Sequence, residues 1–255
     1  MRLAVNHAYF FPYLGYFQAI DAVDRYLLYE HFDYIKDGWM HRNRLQGRNH
    51  APFQITAHVS GRSSHRRISE ISLVETRGWR KKLKKSLVQN YRGAKGFEEA
   101  YALMEELIDT PAETLHAFNS MAIQGICDYL DIETEIHARN DAYLPMEEAL
   151  EAEATSSPVA GGALPLKVQR LLKICVREKA SMYVNAIGGT GLYDPSTFAE
   201  AGLDLRFVQT NDFSYPQFTE PFTSHLSIVD TLMFCGREGT RELLKRYSLV
   251  PGQEA

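Results

Sequence analysis

The opening of this chain constrains its fold most, because two apolar runs, a turn and an amphipathic stretch succeed one another before residue 30. Leu3 to Asn6 has the length and apolar character of a strand buried on both faces. Pro12 and Gly15 punctuate an aromatic turn, after which Tyr16 to Val23 sets Phe17, Ile20 and Val23 on one side at helical spacing. Tyr26 to Tyr29 is a second buried-strand run. Strand, helix and strand in so short a span describe two parallel strands joined by a helical crossover.

Downstream the alternation continues. Phe53 to Val59 and Ile68 to Val74 each alternate in hydrophobicity, and Gly61-Arg62-Ser63-Ser64 between them reads as the turn of a β-hairpin. Trp79 to Asn90, Phe97 to Ile108 and Ala112 to Leu130 carry helical patterns and form a helical insertion over 77–131, the last helix introduced by Thr110-Pro111. Ile132 to Ala138 predicts a strand. Glu147 to Gly162 holds four glutamates and then Ser, Pro and Gly without apolar periodicity, so 147–162 reads as a flexible loop or lid. Leu166 to Lys179 is an amphipathic helix and Met182 to Ile187 a strand, followed by the loop Gly188 to Gly191. A short helix (Pro195 to Ala201), a strand (Leu203 to Val208) and a run from Phe222 to Phe234 lead into a C-terminal helix, Thr240 to Tyr247. The expected fold is α/β, a mainly parallel sheet flanked by helices with a β-hairpin and a helical insertion, in one domain spanning 1–255.

With 45% hydrophobic residues the chain can bury a full core, and a net charge of -4 gives no general reason to bind nucleic acid. Cys127, Cys175 and Cys235 lie far apart with no C-x-x-C spacing, which suits packing in a reducing compartment. Met1-Arg2 leads straight into strand pattern without a signal-peptide core, and no run reaches the about 18 apolar residues of a membrane span. A cytoplasmic protein is expected. The basic run 77–95 holds eight lysines and arginines, with Arg80/Lys84 and Lys81/Lys85 one turn apart and Leu83, Leu87 and Val88 facing inward. A solvated helix face and a peripheral contact with an anionic membrane are both open; interleaved aromatics for base stacking are absent.

Chemistry concentrates near the predicted strand ends, where α/β sheets bind ligands. His7 closes the first strand and titrates near neutrality, so it suits proton transfer or phosphate binding; a structural histidine bonding the turn is the competing reading. Gly15 and Tyr16 open the first helix, whose free N–H groups favour an anion, although a simple tight turn explains the glycine equally. Lys36, Trp39, Arg42, Asn43 and Arg44 crowd cations that repel one another unless an anion joins them, against the alternative of a solvated loop. Lys167 and Arg170 sit at a helix start, where cations oppose the dipole unless an anion docks there. Glu30, His31, Asp33 and His41 imitate a metal site, but only His31 and Asp33 share a strand face, so no metal is expected. Asp230 lies in an apolar stretch and needs a partner, with Arg42 or Arg44 or a helix start as the options. The working site takes His7, Lys36 and Asp33 as catalytic. Tyr9, Gly15, Tyr16, Trp39, Arg42, Asn43, Arg44, Lys167, Arg170, Asn185, Tyr215 and Asp230 are its substrate contacts.

Y-F-F-P-Y-L-G-Y-F-Q, K-D-G-W-M-H-R-N-R-L, K-V-Q-R-L-L-K-I-C, Y-V-N-A-I-G-G-T-G-L-Y-D and L-S-I-V-D-T-L-M-F-C-G, in this order, resemble the WbqC-like proteins of bacterial surface-polysaccharide gene clusters. The resemblance implies a role in O-antigen or related glycan assembly, with acyl or aminoacyl transfer to an amino sugar as the leading reaction. The implied partner is a phosphorylated or nucleotide-activated small molecule; no cofactor is specified. Two rivals stand beside it: an ATP-dependent carboxylate-activating ligase or nucleotidyltransferase, and a non-catalytic scaffold of a glycan-assembly complex. The chain departs from the family pattern at His7-Ala8, where Gln-Pro is usual, at Glu30 to Tyr34, usually of the form D-D-x-Q-Y, and at His41, usually asparagine. A role carried by that glutamine or aspartate in the family does not transfer to this chain.

Overall fold

The computed structural model describes residues 1–48, 51–156 and 164–252. Its elements are β1 (Arg2–Asn6), α1 (Leu14–Asp21), β2 (Arg25–Leu28), β3 (Arg42–Leu45), β4 (Phe53–Thr56), β5 (Val59–Ser60), β6 (Ser72–Leu73), α2 (Trp79–Tyr91), α3 (Phe97–Asp109) and α4 (Leu115–Tyr129). The second half supplies β7 (Glu135–His137), α5 (Leu144–Ser156), α6 (Leu166–Arg177), β8 (Met182–Ala186), α7 (Pro195–Glu200), β9 (Asp204–Thr210), α8 (Ile228–Leu244) and β10 (Tyr247–Pro251).

The main sheet has the order β10-β9-β8-β1-β2-β7. All its pairings are parallel except β10 with β9. The fold is therefore α/β, as the strand–helix alternation predicts. Period-two alternation divides the strands between two cores. Ala4, Tyr26, Leu28, Val184 and Val208 face a core shared with α1, the three helices α2 to α4, and α8. Leu3, Val5, Leu27, Tyr29, Tyr183, Leu205 and Phe207 face the other, covered by α6 and α7 through Val168, Leu171, Ile174 and Phe198. Cys127 and Cys175 are buried, and burial pushes the Cys175 thiol up to about 12 and that of half-buried Cys235 to about 11. These thiols are packing groups at neutral pH.

Four expectations are corrected. The predicted hairpin keeps only the two-residue pairing of β5 with β6, while β4 pairs back onto β3 in the register Arg42↔Thr56 to Leu45↔Phe53. In β3, Asn43 and Leu45 are buried between outward arginines, a strand alternation disguised by its polar composition. The helix expected from Ala112 begins at Leu115, where the Thr114 hydroxyl accepts the Ala117 N–H. The C-terminal helix begins early, at Ile228, capped by Ser227, and breaks at Gly236 with φ 67°. Met233 O there accepts the Gly96 N–H instead of continuing the helix. Tyr247, expected in that helix, opens the antiparallel edge strand.

The fourth correction concerns the expected lid. Residues 144–156 are helical, and Tyr143, Glu147 and Leu150 are buried at helical spacing against α6. A buried glutamate broke the apolar pattern and hid the helix. Residues 157–162 of the expected loop lie outside the described residues.

Candidate functional site

Strand order reverses between β1 and β8: the chain moves outward from β1 to β2 and β7, then returns past β1 to β8 and β9. Such a switch point opens a crevice at the carboxyl ends of the strands. His7 follows β1, and Asn185 is the penultimate residue of β8, at this edge. Asn185 is committed to the turn: its Oδ1 accepts the Ala186 N–H at 2.8 Å, and its amide packs against Gly189, where any Cβ would stand 2.6 Å from Nδ2.

The His7 ring lies among aromatic groups, 4.7 Å from Phe32 and 5.8 Å from Tyr9 between centroids. Its Nε2 is 3.3 Å from Asp33 O, and Tyr16 donates its hydroxyl to His7 O at 2.7 Å. Burial lowers the imidazole pKa to about 4, so the ring is neutral at pH 7. A neutral ring donating from Nε2 to a carbonyl keeps its lone pair on Nδ1. Asp33 serves through its backbone, with its side chain exposed.

Arg170 stacks over Phe32 at 5.8 Å, and its Nε binds Glu147 of α5 at 2.8 and 2.9 Å. Tyr29 also donates to Glu147, at 2.6 Å. Arg170 is thus charge-balanced by a fully buried carboxylate. Lys167, one turn earlier, and Lys36 are exposed.

Tyr9 also lines a hollow of about 180 Å³ with Pro12, Tyr13, Trp39, Arg44 and His225. The Arg44 guanidinium lies 5.5 Å from the Trp39 ring centre. Tyr13 and His225 continue into a larger hollow of about 320 Å³ that reaches Gly15 at the start of α1 and Thr210 to Asp212 at the end of β9. Gly15 is needed for close approach, since a Cβ would stand 2.5 Å from the Tyr13 ring and 3.0 Å from Thr210 Oγ1. Tyr215 and Phe222 form the far wall.

Two left-handed residues lie in this region: His225 at φ 56° lines the cleft, and Phe11 at φ 42° is buried in the turn behind it. Strained backbone needs neighbours that hold it. Asn43 Nδ2 donates to Phe10 O and Phe11 O at 3.1 and 2.7 Å, and Ser227 Oγ donates to Phe11 O at 2.7 Å. Asn43 therefore shapes the aromatic turn.

The other expected contacts divide. Arg42 is spent on the loop before it, donating to Gly38 O and Asp37 O. Asp230 is a buried first-turn residue of α8 that accepts from Tyr91, Tyr215, Gln217 and the Gln46 N–H, and has no bond to Arg42 or Arg44. Burial raises its pKa despite these donors. Tyr215 thereby ties the cleft wall to the core. On α2, Arg80 binds Glu75, Ile108 O and Thr110 O, and Lys84 binds Asp109, so half of the basic ladder lashes α2 to its neighbours. Lys81, Lys82 and Lys85 remain exposed. Sequence reading missed Phe32 as the ring between Arg170 and His7, and Tyr13, Thr210, Phe222 and His225 as cleft residues; only the strand-end place of Thr210 carried a signal.

Among the described residues no cluster of three or more His, Cys, Asp or Glu could hold a metal, and no helix is long and apolar enough to cross a membrane. The sequence model of the WbqC-like protein family matches residues 7–242. The chain belongs to this family. The WbqC-like match thus begins at His7 itself and takes in the whole cleft. The chain is also 26% identical over 240 residues to the uncharacterized protein Rv1507c of Mycobacterium tuberculosis, covering 93% of this chain and 95% of that protein. No solved structure gives a significant match.

Proposed function

We propose that this WbqC-like protein is a small-molecule transferase of glycan assembly that works in the cytoplasm and moves an acyl or aminoacyl group onto an amino sugar. One observation carries the reading: a neutral histidine at the sheet's switch point lies among aromatic rings between two arginines. The groups run from Arg170 over Phe32 to His7, then to Tyr9 and the hollow that holds Trp39 and Arg44.

The chemistry follows from the parts. Arg44 and the α1 N-terminus beside Gly15 suit the phosphate groups of an activated donor, and the flanking aromatic rings suit its flat or apolar portion. As the amino-sugar nitrogen forms its bond to the donor carbonyl, it must lose a proton, and the leaving group departs with the electron pair of the broken bond. His7 Nδ1 holds a lone pair able to take that proton. The depressed pKa keeps the base free, while its low basicity places the burden of rate on positioning and on the donor's leaving group.

Thermal shift with nucleotide-sugars, acyl donors and ATP tests this reading, because a ligand of the native state raises Tm by mass action. Stabilisation by an activated donor, and His7→Ala binding it normally but turning over slowly, are expected. ATP-dependent stabilisation with pyrophosphate release would replace transfer with carboxylate activation. Indifference to every anionic metabolite would leave a scaffold role instead.

A further inference from the structure

A second cavity, of about 360 Å³, lies apart from the cleft, at the seam between the β3–β4 and β5–β6 pairs. His41, His58, Arg62, Thr56 and Ser60 supply its polar lining, and none of its lining residues is a carboxylate. His41 is the decisive group. Its side chain is 3% exposed yet borders the cavity. The Tyr34 hydroxyl stands 2.7 Å from His41 Nδ1. With the Tyr34 hydroxyl proton directed at Nδ1, the matching tautomer of His41 carries its ring N–H on Nε2, the nitrogen left for the cavity.

The electrostatic setting is positive. Arg62 and Arg42 join burial in lowering the His41 pKa to about 4, with Asp37 acting weakly in the opposite sense. Arg62 belongs to an exposed basic loop that continues through His65 and Arg66, while Arg67 is half-buried and paired with Glu151, and Gly61 at φ 78° lets the Arg66 guanidinium pack against its backbone. A cavity offering a guanidinium, hydroxyls and the buried His41 imidazole, with no carboxylate in its lining, is complementary to an oxyanion.

We propose that this cavity binds the phosphoryl end of a phosphate monoester, with Arg62 pairing the charge and His41 Nε2 donating from beneath. Its volume exceeds a bare phosphate and accommodates part of the attached alcohol. The Asp33–Tyr34 segment separates it from the cleft, since Asp33 O meets His7 while the Tyr34 ring meets His41. The site is independent of the transferase reading, and its test needs no turnover.

The experiment follows the His41 ring by nitrogen-edited NMR in the full chain while inorganic phosphate, glucose 1-phosphate or citrate is added. Phosphate should perturb His41 and move its titration upward, because a bound anion favours the imidazolium. Arg62→Gln, on an exposed loop, should weaken binding about tenfold, the scale of one charge-assisted contact, and Arg62→Lys should keep most of it. Tighter binding of glucose 1-phosphate than of phosphate identifies a metabolite as the source, and equal binding identifies the free ion. No perturbation of His41 at millimolar phosphate, an unchanged response in Arg62→Gln, or a citrate response equal to that of phosphate overturns the proposal.

Discussion

Glu147 and Arg170 form an ion pair, Nε to Oε1 at 2.8 Å, between a carboxylate with no solvent exposure and a guanidinium that leans on Phe32 beside His7. The pair joins α5 to α6 and bounds the aromatic rings around His7 at their inner end. Removing one partner of a buried pair leaves an uncompensated charge. Arg170→Ala should therefore destabilise the chain by about 3–5 kcal/mol in urea unfolding, whereas Arg170→Ala with Glu147→Gln should recover part of that loss. A cost below about 1 kcal/mol would show that the pair is not a structural tie.

The two depressed histidines predict acid sensitivity. His7 and His41 bind protons near pH 4 in the folded chain and near 6.5 when unfolded. Between those values the unfolded state holds more protons, so stability is present above the unfolded pKa and is lost as pH falls. Each ring should contribute a decline of about 2 kcal/mol between pH 7 and pH 5. His7→Gln should flatten its share of the slope, measured by urea midpoints across that range.

Asn43→Ala removes the amide that donates to the carbonyls of Phe10 and left-handed Phe11, leaving Phe11 O held by the Ser227 hydroxyl. The expected cost is about 2 kcal/mol, from the orphaned Phe10 carbonyl and the weaker hold on the left-handed turn. Tyr9 and Tyr13 flank this turn and line the hollow, so ligand stabilisation should fall as well. An Asn43→Ala variant with native stability would assign the turn's conformation to Ser227 and packing alone.

Much of the fold was legible because period-two burial is written directly into Leu3-Ala4-Val5 and Tyr26-Leu27-Leu28-Tyr29, whose alternate members enter opposite cores. The candidate site could be read where a residue stands at a strand's carboxyl end, as His7 does. It failed where pairing is nonlocal or goes to the backbone. Arg42 looked available for an anion but is consumed by carbonyls four and five residues away. Glu147 looked solvated because its partner lies on another helix. Trp39 and Arg44 stand close in sequence and share the hollow, yet no pattern announced His225, which reaches it from the far end of the chain.

Trp39 and Arg44 give the sharpest separation of binding from folding. Trp39 is 46% exposed, and Arg44 lies over its ring at the mouth of the hollow. Substitutions at exposed positions outside the core usually change stability by less than about 0.5 kcal/mol. Trp39→Ala and Arg44→Ala should therefore unfold at native urea midpoints while losing most of the thermal stabilisation given by an activated donor. Arg44→Lys should restore little, because a lysine keeps the charge but not the planar fork that stacks on the ring. If both alanine variants respond to the donor as the parent does, the hollow between Tyr9 and His225 is not where that donor binds.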